Sequence, residues 1–218
     1  MSETSKELQK KLLWEFPHIG RKYPDHKEKA EDFCKGYKKY LNEGKTEREC
    51  AALSAKMLEE AGYQPFEPGK NYGPGDKVYY LHRKKAVIAT TFGREPIEKG
   101  LRINGAHIDS PRLDLKPVPL YEKNDIAYFK THYYGGLRKY QWGTTPLALH
   151  GVIIREDGKE ISVSIGEEEG EPAFCVTDLL PHLSGEQNRR PLSDGIKGEE
   201  LNILISSLPF VDEDPEEK

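Results

Sequence analysis

His107 and Asp109 stand two residues apart in the run from Leu101 to Leu115, Leu-Arg-Ile-Asn-Gly-Ala-His-Ile-Asp-Ser-Pro-Arg-Leu-Asp-Leu. In an extended chain such residues point to the same face. The alternation of Leu101, Ile103 and Gly105 predicts a strand that ends as it delivers both side chains. Pro111 has no N–H to give a ladder, so pairing should weaken there. Two chemistries suit an imidazole beside a carboxylate. In one, His107 binds a metal through one ring nitrogen, and Asp109 orients the ring or sits just outside the metal's ligands. In the other, the pair belongs to a hydrolytic triad, which also needs a nucleophile on an exposed elbow, and the chain contains no G-x-S-x-G. A third reading has no chemistry at all: a capped strand end with an exposed histidine and a turn-forming Asp-Ser-Pro. The H-x-D spacing alone does not choose among them.

The wider stretch does more. Gly-Ala-His-Ile-Asp-Ser-Pro-Arg-Leu-Asp-Leu-Lys-Pro, continuing into Pro119-Leu120-Tyr121-Glu122, resembles the first metal motif of the aspartyl aminopeptidase family of dinuclear zinc exopeptidases. Thr46-Glu-Arg-Glu-Cys, Tyr133-Tyr-Gly-Gly and Gly198-Glu-Glu-Leu-Asn resemble further stretches of that family, in family order. The resemblance covers nearly the whole chain but only the first half of the family's sequence; the second half is expected to begin just after Lys218.

The resemblance implies removal of N-terminal residues, acidic ones among them, from peptide substrates. In that reaction two zinc ions share a water, lower its pKa and polarise the scissile carbonyl. A glutamate takes the proton and later gives it to the leaving amine. By resemblance His107 matches the first zinc ligand, and Asp109 the aspartate that orients it. His182, in Thr177-Asp-Leu-Leu-Pro-His-Leu, matches a histidine that crosses the subunit interface to hold substrate in the partner's site; its other reading is a polar loop residue beside Pro181. The bridging aspartate, the adjacent Glu-Glu pair, the later aspartate and the C-terminal histidine have no match. The acidic run Gly166 to Glu171 is not that pair, since it caps a hairpin between polar strands and clustered carboxylates favour exposure. His82, His132 and His150 fit no family ligand position. The implied assignment is the N-terminal portion of a zinc aminopeptidase, inactive as this chain alone, in a homo-oligomer built from dimers. The alternative is a non-catalytic β-rich oligomerisation module. A third option is an unrelated α+β protein with a chance H-x-D.

Helices and strands must position these residues. Leu8, Leu12, Leu13 and Phe16 suit a short helix face before Pro17. Ala30, Phe33, Cys34, Tyr37 and Leu41 recur at helical spacing over 27–43, and Asn42-Glu43-Gly44 stops the helix. Thr46 with Glu49 has the capping-box form and opens a second helix to Ala61-Gly62. Lys77–Leu81 and Lys85–Thr91 read as strands around a basic, solvated tip. Helices followed by strands up to a site at a strand end predict an α/β layer with its ligand at the strand's carboxyl end. From 115 to 166, short alternating runs separated by Glu122-Lys-Asn-Asp, Gly135-Gly136 and Asp157-Gly158 read as all-β with hairpins. Leu201–Leu208 reads as a last strand. The division is 1–111 for part of the metallopeptidase layer, 112–208 for a β-rich dimerisation insert and 209–218 for a charged tail. Tyr128, Tyr133, Tyr134, Tyr140 and Trp142 are expected to supply interface surface; their other reading is as core residues.

Composition sets outer bounds. A formal charge of −4 and a pI near 6.0 lack the basic stripe of a nucleic-acid protein. No apolar run approaches the roughly 18 residues of a membrane span. The N-terminus lacks an apolar signal core, so a cytoplasmic protein is expected. Cys34, Cys50 and Cys175 form neither a disulfide framework nor a zinc knuckle and are expected to be reduced and mostly buried.

Overall fold

The capping box at Thr46 and Glu49 forms as its sequence predicts. Glu49 N–H donates to Thr46 Oγ1 (3.3 Å) and Thr46 N–H to Glu49 Oε2 (2.8 Å). It opens helix α4 (Glu47–Glu60), which follows α1 (Ser5–Leu12), α2 (Ile19–Lys22) and α3 (Lys27–Glu43). The computed structural model describes residues 4–14 and 16–208. The charged tail expected over 209–218 therefore lies outside the described residues.

Helix α4 packs on a three-stranded sheet of order β1-β2-β3, with β1 (Gln64–Pro65), β2 (Lys77–His82) and β3 (Ala86–Thr91). Its buried residues are small, Cys50, Ala51 and Ala55, which lets the helix backbone come close to the sheet. Val78 and Tyr79 of β2 are also buried. At the basic tip, Arg83 and Lys84 both take left-handed φ, at 50° and 59°.

The second half is β-rich: β4 (Arg112–Lys123), β5 (Ile126–Tyr134), β6 (Leu149–Ile154), β7 (Glu160–Ile165), β8 (Cys175–Val176) and β9 (Ile203–Ser206). β4, β5, β9 and β8 form one antiparallel sheet in that order, and β6 pairs with β7. Lys123 pairs with Ile126 across Asn124 and Asp125, whose φ values of 55° and 60° suit a two-residue hairpin turn whose twist matches the strands. The β4–β5 register breaks between Leu115 and Leu120, where Pro117 and Pro119 offer no N–H. Trp142, Val176, Ile196, Leu201 and Ile203 form the core, with Leu113, Phe129 and Tyr133 packed against it. The Thr131 hydroxyl donates to the Leu201 carbonyl inside it.

Three expectations change. The strand predicted from Leu101 does not form: residues 101–111 carry no helix or strand, and the ladder begins at Arg112. Alternation supplies a face, but a strand also needs partners for its N–H and C=O groups. Among the described residues no strand pairs with this segment, and Leu101 and Ile103 are 66% and 82% exposed. Trp142, expected at an interface, is a core residue, and Tyr133 lies against that core. Of the cysteines, all free, only Cys50 is buried, while Cys34 and Cys175 are exposed.

The two halves meet through charge. Arg112 pairs with Glu47 (3.0 Å), Lys84 with Glu160 (2.7 Å), and His150 stands between Glu49 and Glu167, 2.9 Å from each. The acidic turn is closed by its own member: Glu171 Oε2 accepts the N–H groups of Gly166, Glu167 and Glu168.

A candidate metal centre at His107 and Asp109

The segment before β4 brings His107 and Asp109 together without a strand to hold them. His107 Nδ1 lies 3.0 Å from the Asp109 carbonyl oxygen and 3.1 Å from Asp109 Oδ1. An Nδ1–H donated to these acceptors leaves the Nε2 lone pair for a metal, the usual way a carboxylate orients a ligating imidazole. The His107 side chain is 83% exposed, so this nitrogen is accessible.

The other Asp109 oxygen is also engaged. The Tyr134 hydroxyl, at the end of β5, donates to Asp109 Oδ2 at 2.7 Å. That hydrogen bond, with one from the backbone, holds the Asp109 carboxyl below its ordinary value, and His107 adds to the effect. The same contact pushes the Tyr134 phenol up, because its anion would face a carboxylate. The Arg112 guanidinium lies over the Tyr134 ring, 4.2 Å from its centre, and itself pairs with Asp114 at 2.7 Å and with Glu47. Sequence reasoning singled out Tyr133-Tyr-Gly-Gly as a stretch but gave no role to Tyr134, Arg112 or Glu47. The signal was there: two motifs 25 residues apart, one ending a strand, the other supplying an orienting carboxylate.

His107 and Asp109 are thus neighbours, while His182 is placed elsewhere. It lies on the exposed loop between β8 and β9 and makes no hydrogen bond or ion pair among the described residues. Leu179, Leu180 and Leu183 beside it are 53%, 64% and 69% exposed. No group of three or more His, Cys, Asp or Glu able to hold a metal ion occurs among the described residues. The chemistry of His107 and Asp109 therefore suits one ligand of a zinc site and its orienting partner, not a complete set.

The profile of the family described as Aminopeptidase I zinc metalloprotease (M18) matches residues 40–218. The chain belongs to the M18 family. The "Probable M18 family aminopeptidase 1" of Clostridium acetobutylicum is 46% identical over 213 residues, covering 95% of this chain and 46% of that protein. The crystal structure of the M18 aminopeptidase from Thermotoga maritima superposes with a TM-score of 0.79 at 41% identity, over 87% of this chain and 41% of that one. The S. cerevisiae mApe1 dodecamer, 18% identical over 81% of this chain and 39% of that one, shares the fold at a TM-score of 0.61. The chain thus spans under half the length of the M18 relatives it matches, and its mixed helix-and-sheet architecture is consistent with an M18 α/β fold.

Proposed function

We propose that this chain is the part of a zinc aminopeptidase that contributes His107 as a zinc ligand and Asp109 as its orienting carboxylate. The supporting observation is the paired contact of His107 Nδ1 with Asp109, which leaves Nε2 as the accessible donor. Zinc, when bound, polarises a scissile carbonyl and activates a water. The chain's own part is narrower. Asp109 holds the ring by Nδ1, and its negative charge raises the basicity of Nε2. The substrates of the complete protein would be peptides, cut after the N-terminal residue.

Within the same reading, self-association of the β-rich part also has support. The exposed leucines around His182 offer an apolar patch on a β-domain loop, in keeping with a residues 112–208 unit that self-associates and carries His182 to a partner's site. Residues 1–111 would then be the metallopeptidase portion. No described helix is long and apolar enough to cross a membrane, and three free thiols suit a reducing compartment such as the cytoplasm.

A hybrid tests the activity: this chain replaces the matching part of the Clostridium acetobutylicum relative. The hybrid should release N-terminal residues from peptides, and a chelator should stop it. A folded, zinc-loaded hybrid with no peptidase activity would contradict the assignment.

A further inference from the structure

We propose that Tyr134 is a positioning residue of the metal centre: its hydroxyl fixes the Asp109 carboxylate, which in turn fixes His107 with Nε2 free. This rests on the reading of His107 as a zinc ligand. Three observations carry it. First, the two Asp109 oxygens have different partners. Oδ2 accepts from Tyr134 at 2.7 Å, and Oδ1 lies 3.1 Å from His107 Nδ1. A carboxylate anchored at one oxygen cannot swing the other away without losing the anchor.

Second, Tyr134 is itself held. It pairs with Arg112 across the β4–β5 ladder, and the Arg112 guanidinium covers its ring. Arg112 is fixed by Asp114 and by Glu47 in the first turn of α4. The hydroxyl is therefore presented by a braced side chain, although the residue is 39% exposed.

Third, the next residue clamps the same segment. Gly135 has φ 99°, and a Cβ built there would lie 2.7 Å from Pro111 Cα. Only glycine allows that backbone approach. The end of β5 thus grips the Asp109–Pro111 segment twice, by a hydroxyl and by a bare backbone. Residues 101–111 have no ladder of their own, so rigidity at His107 must come from such contacts.

The test is Tyr134→Phe in the Clostridium hybrid, the parent here, which supplies the remaining metal ligands; the change keeps the ring under Arg112 and removes only the hydroxyl. Long-range proton–nitrogen spectra report the tautomer of His107 without metal, and zinc alone is then titrated while His107 is followed. Asp109→Asn serves as the reference for a lost orienting carboxylate. The parent should hold His107 mainly as the Nδ1–H tautomer. Tyr134→Phe should mix the tautomers and weaken zinc at His107 by about 10–100-fold, the range for partners outside a metal's ligands. Unchanged tautomer and unchanged zinc affinity in Tyr134→Phe, with zinc bound at His107 in the parent, overturns the role of Tyr134 and leaves the zinc reading standing. If zinc does not bind His107 in the parent, the zinc reading fails. The tautomer then decides the Tyr134–Asp109–His107 linkage alone: a shift on Tyr134→Phe supports it, and no shift overturns it.

Discussion

His150 Nδ1 lies 2.9 Å from Glu49 Oε1, joining β6 to the first turn of α4 across 101 residues of sequence. The imidazole's other nitrogen faces Glu167, also at 2.9 Å. Burial opposes the charge on Glu49. The hydrogen bonds from His150 and from the Thr46 cap overcome that penalty and hold its carboxyl below the ordinary value of 4.5.

A carboxyl held low in the folded state stabilises the fold above its unfolded pKa and loses that contribution as pH falls through the folded value. Stability should therefore decline as pH drops below about 4.5. His150→Ala should cost about 1 kcal/mol at neutral pH and lower Tm by roughly 2–4 °C. It should also flatten the acid limb. Thermal unfolding of both proteins from pH 3 to 7 measures this.

How much of this was legible depended on whether the deciding contact was local. The capping box of Thr46 and Glu49 spans four residues and forms as its spacing predicts. The turn signal Glu122-Lys-Asn-Asp is local too, although Glu122 and Lys123 belong to β4 and only Asn124 and Asp125 form the turn, and the pairing of His107 with Asp109 spans three residues. The strand at Leu101 was misjudged because alternation describes one segment, whereas a ladder needs two. Trp142 was misjudged for a related reason: an aromatic in an alternating stretch suits a core or an interface, and its distant neighbours Ile196 and Leu201 decide which. The Tyr134–Asp109 and His150–Glu49 contacts join residues far apart in sequence, and no periodicity announces them.

Leu201 is fully buried, and its carbonyl accepts from Thr131. Leu201→Ala should cost about 2–5 kcal/mol, the range for such truncations in a packed core. Denaturant unfolding is the measurement, and a loss under 1 kcal/mol would show a core that closes around the gap.

Burial pushes the Cys50 thiol up, and Cys50 donates to the Gly44 carbonyl at 3.4 Å. Thiol reagents act on the thiolate. At neutral pH a mild alkylating reagent should label Cys34 and Cys175 in the native chain and reach Cys50 only on unfolding, as read by peptide mass spectrometry.

His182 is expected to act across a subunit boundary. In the Clostridium hybrid, His182→Ala should cut turnover by roughly 10²–10³-fold, the loss typical of one donor to a developing oxyanion, while zinc content stays constant. Mixing His182→Ala subunits with His107→Ala subunits should restore part of the activity, because some mixed dimers carry one intact site. Absence of rescue while subunits demonstrably exchange would leave His182 a loop residue.

The most direct measurement compares zinc content and turnover of the hybrid with those of its His107→Ala variant. Loss of bound zinc together with loss of chelator-sensitive peptidase activity, in a variant that still folds, is the expected result. Full zinc occupancy and undiminished turnover in His107→Ala would contradict the assignment of His107 as a ligand and of this segment as part of the zinc site.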